Sequence, residues 1–191
     1  MIKLISNIEI TVSEMGSGWQ MIHLIFDDVK IDFYASYLGE CPLSSLITLI
    51  AEIDADIENE NIPDEMYIKW FDEPGVFQMD IKYDGINDDI TIRISDEDLI
   101  MGGQITTPRE EYHISVNHES FRNAIIKEAS RMLRTYGLHG YNGNWAKGIE
   151  NFPLSAFLRL LGNKSKFDKE TETYSSSLEH EISLLKSILT I

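Results

Sequence analysis

The sequence predicts an α+β fold, in which antiparallel β-meanders are each followed by a helix and C-terminal helices pack on the sheet. Short runs of alternating apolar and polar residues, separated by turn residues, fill 8–37 and again 66–117. Apolar residues at helical spacing follow each group of runs, from residue 42 and from residue 117. Strands that are grouped in this way indicate antiparallel pairing, in one sheet or two.

Three strands are predicted in the first meander. The apolar residues of 8–12 alternate with polar ones, which is typical of a half-buried strand. Residues 19–26 are apolar on both faces and predict a central, covered strand, and residues 29–37 alternate again. Glycines within 15–18 and the aspartates of 27–28 mark the two turns.

The first helix is predicted to begin at Pro42, because proline is tolerated in the first turn. One apolar stripe follows the helical spacing and comprises Leu43, Leu46, Ile47, Ile50, Ile53 and Ile57. The opposite face becomes acidic toward the end of the helix. Negative charge there opposes the helix dipole, so these acids hint at a role other than helix stability.

Four strands are predicted in the second meander, with a turn at residues 72–75. The next helix is expected to be capped by Asn117 and ended by Gly137. Residues 137–148 are rich in glycine and aromatic residues and predict a loop, which is followed by a short helix over 153–161.

The pattern predicts a single α+β domain over residues 1–163. Residues 164–191 are expected to form a polar linker and a C-terminal amphipathic helix that docks on the same domain. The apolar stripe of that helix comprises Leu178, Ile182, Leu185 and Leu189. If the stripe packs on a second chain instead, the helix serves self-assembly.

Composition excludes several classes of protein. The chain has 191 residues and one cysteine, so it forms neither an intramolecular disulfide nor a cysteine-based zinc cluster. No run approaches 18 apolar residues, and Glu9 interrupts the N-terminal apolar segment before a signal core forms. These features predict a cytoplasmic protein without a membrane span.

The formal net charge is −16, and the whole acidic excess lies in the first half of the chain. Residues 1–100 carry 22 acidic and 5 basic residues, whereas residues 101–191 are close to neutral. Such a surface repels nucleic acid and anionic membranes and attracts a basic protein. We therefore expect a basic protein partner, no nucleic acid, no membrane, and a monomer or weak homodimer.

No residue pattern specifies a reaction. The five histidines include no pair at metal-ligand spacing on a helix, and the chain lacks a nucleophile elbow and a phosphate loop. His113 and His118 lie five residues apart with Glu119 adjacent, and a metal or acid/base site there needs a further ligand from elsewhere. We expect no cofactor, no metal and no catalytic residue, so the chain is interpreted as a non-enzymatic protein.

Two aromatic-rich segments carry a family resemblance. The first is Trp70-Phe71-Asp72-Glu73-Pro74-Gly75-Val76-Phe77, and the second spans Tyr136 to Phe157 with Tyr141, Trp145 and Phe152 between them. With the small size and acidic charge, residues 30–162 resemble immunity proteins of bacterial polymorphic-toxin and contact-dependent inhibition systems. The resemblance implies a protein that binds and blocks a toxin domain. It supplies no site residues, because such families diverge at the binding surface.

Together these observations favour a binding protein that occludes the active cleft of a basic, nuclease-like toxin domain with an acidic surface. The candidate contact residues cluster after the first helix and at the following turn: Asp54, Asp56, Glu58, Glu60, Asp64, Glu65, Asp72 and Glu73. The acidic loops at 84–89 and 96–98 are secondary candidates. The alternative is an enzyme with a dispersed metal or acid/base site near His113, His118 and Glu119.

Overall fold

A computed structural model describes residues 5, 7–36, 39–61, 65–72, 75–85, 87–98, 110–145, 152–163, 166–168 and 173–190. Within them, two antiparallel sheets form the two meanders. The first sheet has the order β1 (Ile8–Gly16), β2 (Trp19–Phe26), β3 (Val29–Ser36). The second has the order β4 (Met66–Asp72), β5 (Gly75–Asp84), β6 (Asp89–Asp98), β7 (Glu110–Asn117). The predicted α+β class is therefore confirmed, and the strand groups form two sheets.

The strand registers place alternate side chains in one shared core. Ile22, Leu24 and Phe26 of β2 are fully buried, as expected for a central strand. The prediction that its other face is also covered was wrong, since Met21 and Ile25 are half-buried and Trp19 is exposed. Phe33 of β3 stacks on Trp70 of β4, with ring centroids 4.8 Å apart. This contact joins the two sheets where the third and fourth strands approach each other.

Helix α1 (Pro42–Glu58) follows the first sheet and has Pro42 in its first turn, as predicted. Every position of the predicted apolar stripe is buried except the last, Ile57, which is half-buried. The indole of Trp70 donates a hydrogen bond of 2.9 Å to the Ser45 hydroxyl, which anchors the helix to β4. The polar face of α1 is left at the surface beside β4.

Helix α2 (His118–Asn144) is capped by Asn117, whose side chain accepts a hydrogen bond from Ser120 N–H. Gly137 has φ 64° and ψ 174°, so it interrupts the helix where its end was predicted. The prediction of a loop after it was wrong for residues 138–144, which are helical. Burial of Tyr141 and Trp145 outweighs the low helix propensity of the glycines there. Residues 146–148 lie outside the described residues.

The C-terminal region contains α3 (Leu154–Leu160), β8 (Lys166–Asp168), β9 (Thr173–Ser175) and α4 (Leu178–Ser187). The expected linker thus contains two antiparallel strands, in which Phe167 and Tyr174 are register partners. α4 itself has no buried residue, although Ile188 just beyond it is 4% exposed. Arg134 of α2 donates a hydrogen bond of 2.7 Å to the Ile188 carbonyl. Among the described residues, no helix is long and apolar enough to cross a membrane.

Candidate functional site

Asp54 is not a free surface acid. Its Oδ2 accepts a hydrogen bond of 2.8 Å from Nε of Arg122, and its Oδ1 lies 3.0 Å from Nε2 of His118. The second contact is close but lacks hydrogen-bond geometry, and Nε2 of His118 has no hydrogen-bond partner among the described residues. Asp54 therefore connects α1 to the start of α2. Its carboxylate is engaged by contacts within the chain and is not available as a free surface charge.

The pKa of Asp54 reflects this environment. Burial alone raises the pKa of a carboxyl group, because it disfavours the charged form. Here the contacts with His118 and Arg122 outweigh burial, and the pKa of Asp54 lies below its usual value. The carboxylate is thus charged across the physiological pH range.

The other acids at the end of α1 are more accessible. Glu58 is exposed and lies 3.6 Å from the guanidinium of Arg159. Asp56 is half-buried and Glu60 is exposed, and neither side chain has a hydrogen bond or ion pair with another described residue. Asp56 and Glu60 therefore leave net negative charge at this end of the helix.

The structure places the remaining predicted contact residues in separate positions. Glu65 is exposed and directly precedes β4. Asp72 is half-buried at the other end of β4, where it pairs with Gly75. Asp64 and Glu73 lie outside the described residues. Glu65 and Asp72 thus lie at opposite ends of one strand and do not form a single cluster.

A groove of about 670 Å³ runs between α1 and the first half of β4. Three glutamates line it: Glu40, Glu52 and Glu65. All three are exposed, and none has a hydrogen bond or ion pair with another described residue. The other residues that line the groove are mostly apolar or carry hydroxyl groups: Ser44, Ser45, Thr48, Leu49, Met66, Tyr67, Ile68 and Pro153.

A second groove of about 570 Å³ lies on the other side of the same helix face, against α3 and β9. It shares Thr48 and Glu52 with the first groove. Glu52 thus lies between two concave surfaces. Sequence reasoning missed Glu40 and Glu52 as candidates, although the helical spacing of Thr48 and Glu52 places both on the polar face of α1.

The histidine site predicted as an alternative is only partly assembled. His118, Glu119, Asp54, Asp88 and Arg122 line one cleft of about 300 Å³, together with Ile57 and Glu58. His113 is not among these residues; it lies on β7, where Nε2 is 3.0 Å from Oε1 of Glu111. The described residues contain no group of three side chains able to hold a metal ion.

His118 is held between two carboxylates. Nε2 faces Asp54, and Nδ1 lies 3.6 Å from Oδ1 of Asp88, which also accepts a hydrogen bond of 3.0 Å from the Tyr83 hydroxyl. The residue is only 7% exposed. Burial and the charge of Asp88 raise the pKa of Tyr83, so the phenol stays protonated as a donor. Both imidazole nitrogens therefore face carboxylates of this chain.

The acidic segments at 84–89 and 96–98, named as secondary candidates, include residues that already contact other parts of the chain. Asn87 donates a hydrogen bond of 2.7 Å to Asp84, and the main chain of Asp88 accepts one of 2.9 Å from His118 N–H. The prediction of a loop at 96–98 was wrong, because these residues belong to β6, where Asp96 is half-buried. These contacts fix the loop at 84–89 on the start of α2.

Comparison of the chain with protein-family models, with curated proteins and with solved structures gives no match.

Proposed function

We propose that this chain is a binding protein that neutralises a basic, nuclease-like toxin domain by covering its active cleft with an acidic surface. The observation that carries the proposal is a set of three exposed glutamates around the groove between α1 and β4, none of which has a partner in the part of the chain that the structure describes: Glu40, Glu52 and Glu65. Carboxylates that are left unpaired beside a concave, partly apolar surface favour a basic protein segment as ligand.

The charge distribution supports the same ligand class. The groove and the acidic end of α1 both belong to residues 1–100, which hold the whole acidic excess. A field of one sign over one region speeds encounter with an oppositely charged partner and disfavours acidic ones. Nuclease-like domains carry basic clefts for phosphate backbones, so an acidic surface complements the cleft that must be blocked.

An acid/base enzyme centred on His118 is the weaker candidate. The cleft beside His118 combines an imidazole with Glu119, but Asp54 and Asp88 face the two ring nitrogens. A general base must be able to reach a substrate proton through one of these atoms. The arrangement supports a positioning role for His118, which joins α1, α2 and the turn before β6.

The proposal is tested by expressing the gene adjacent to this chain's gene with and without the chain. We expect the adjacent product to contain a basic domain that arrests growth, and we expect co-expression of the chain to restore growth through a stable complex. A His118→Asn variant that folds should protect as well as the wild type. A harmless neighbour, or a toxic neighbour that the chain neither binds nor neutralises, contradicts the proposal.

A further inference from the structure

The groove between α1 and β4 follows the edge of a strand. Four consecutive residues, 65–68, line it. Successive side chains of a strand point to opposite faces of the sheet, so a surface over one face contacts only every second residue. The groove is lined by Met66, Tyr67 and Ile68 in succession and by Glu65 just before the strand, so it follows the edge of β4.

That edge belongs to the outermost strand of its sheet. β4 pairs only with β5 among the described residues. Asp72 and Gly75 are register partners with two residues of sequence between them, and a pair that closes a hairpin of this length exchanges hydrogen bonds. Hydrogen-bonded and non-bonded pairs alternate along an antiparallel ladder. The main-chain N–H and C=O of Tyr67 consequently point away from β5, into the groove.

The open part of this edge is short and well defined. A Cβ atom built on Gly39 would lie 2.8 Å from the Phe71 ring and 3.5 Å from the Lys69 carbonyl oxygen. The chain at Gly39 thus covers the second half of β4. Toward the start of the strand, α1 forms the opposite wall through Thr48 and Glu52. The opening therefore fits an extended segment of a few residues between a helix and a strand edge.

The side chains around this opening favour a positively charged ligand. Glu40, Glu52 and Glu65 surround it, and none of them has a hydrogen bond or ion pair with another residue that the structure describes. The ring of Tyr67 is 67% exposed, and the ammonium group of Lys69 lies 5.6 Å from its centroid. An aromatic ring that already carries one cation on its surface can contact the stem of a second basic side chain.

We infer that an extended segment of a protein partner adds as a strand to the first half of β4, with its lysine or arginine side chains directed at Glu40, Glu52 and Glu65. Strand addition of this kind obtains affinity from main-chain hydrogen bonds and specificity from the side-chain pockets on either side. The inference rests on the proposed function, and it adds where the partner binds and in which conformation.

The first test uses the peptide acetyl-Lys-Val-Arg-Val-Lys-amide and the ¹⁵N-labelled full chain, observed by NMR. We expect chemical-shift changes centred on residues 65–68 and 44–52, and no binding of the same peptide with glutamates in place of its basic residues. Glu52→Gln and Glu65→Gln should each weaken binding about two- to five-fold, as for an exposed ion pair. The matched control Glu9→Gln, on the first sheet, should leave affinity unchanged. Shifts elsewhere, or equal effects of all three variants, overturn the inference.

The second test isolates the main-chain contribution without altering the protein. Alternate amides of an extended peptide face the same side, so N-methylation of one alternate set removes the donors that face β4, while the other set points away from β4. We expect one methylated peptide to lose at least about ten-fold in affinity, equivalent to 1.4 kcal/mol, and the other to bind like the parent. Equal binding of the two methylated peptides contradicts strand addition.

The experiments can show that the groove assignment is wrong without contradicting the proposed function, and the reverse is also true. If the Glu52→Gln, Glu65→Gln double variant still binds and neutralises the toxin as the wild type does, the groove assignment is wrong and the proposed function stands. If the peptide binds as expected but the chain protects against no adjacent toxin, the groove assignment stands and the proposed function is wrong.

Discussion

Glu128 Oε1 lies 2.6 Å from the main-chain nitrogen of Val12 and accepts its hydrogen bond in the protein interior. Arg131 donates to the Val12 carbonyl and to both oxygens of Glu128. Val12 precedes a register shift in β1, the outer strand of the first sheet. Two side chains of α2 thus satisfy the main-chain groups that a neighbouring strand would otherwise bind.

This relationship predicts that Glu128→Ala destabilises the protein strongly. The variant leaves Val12 N–H without its acceptor and Arg131 without its anion, a loss of about 2–4 kcal/mol. Glu128→Gln retains an acceptor and should lose less. Urea unfolding of both variants measures the difference, with Lys127→Ala on the exposed face of the same helix as the control. Equal midpoints for Glu128→Ala and the wild type would show that the contact contributes nothing.

The second prediction concerns acid stability and Asp54. Its pKa in the folded chain lies below the usual 3.8, so the folded state binds this proton less readily than the unfolded state. The resulting stabilisation is complete above pH about 4 and is lost as the pH falls through the folded-state pKa. The free energy of unfolding of the wild type should therefore exceed that of Asp54→Asn at pH about 6, and the gap should narrow toward pH about 3. A gap that stays constant across this range contradicts the assignment.

The third prediction concerns the interruption in α2. Gly137 has positive φ with open space around it, so Gly137→Ala meets no clash, and its cost comes from the backbone conformation alone, about 1–3 kcal/mol. Gly143 also has open space but lies within the helix, so Gly143→Ala should stabilise by about 0.5–1 kcal/mol. Thermal unfolding of the two variants measures whether each substitution destabilises or stabilises the protein. Destabilisation of similar size in both would contradict the account.

The fourth prediction concerns how the end of the chain is attached. Ile188 is 4% exposed, and its carbonyl accepts a hydrogen bond from Arg134, whereas the adjacent Leu189 is 68% exposed. Ile188→Asp should therefore lower the melting temperature by several degrees, because it buries an unpaired charge. Leu189→Asp is the matched control and should have little effect. If both variants melt like the wild type, this region does not pack on the domain.

Most of the fold could be predicted because local patterns determine it. The period-two runs mark the seven strands of the two sheets, and the stripe from Leu43 to Ile57 marks α1. Gly137 was recognised as a helix end, but the helix after it was not, since its glycines indicate a loop. What stabilises that helix is burial of Tyr141, whose hydroxyl lies 3.0 Å from Cys41 Sγ, a contact across 100 residues. No local pattern contains such a contact.

The candidate site was less predictable for the same reason. Acidic spacing placed Asp54 with its neighbours on one helix face, but its partners His118 and Arg122 lie more than 60 residues away. The glutamates of the groove come from the loop before α1, from α1 itself and from the residue before β4. Their proximity depends on how α1 packs beside β4, so composition could indicate an acidic surface but not its position.

The most direct measurement is the rate of association between the full chain and the proposed toxin partner at low and high salt. If the acidic end of α1 steers the encounter, the association rate constant should fall several-fold between about 50 and about 300 mM NaCl. The triple variant Asp56→Asn, Glu58→Gln, Glu60→Gln should associate more slowly at low salt and depend less on salt, with little change in dissociation. An association rate constant that is unchanged in the triple variant would contradict this choice of surface.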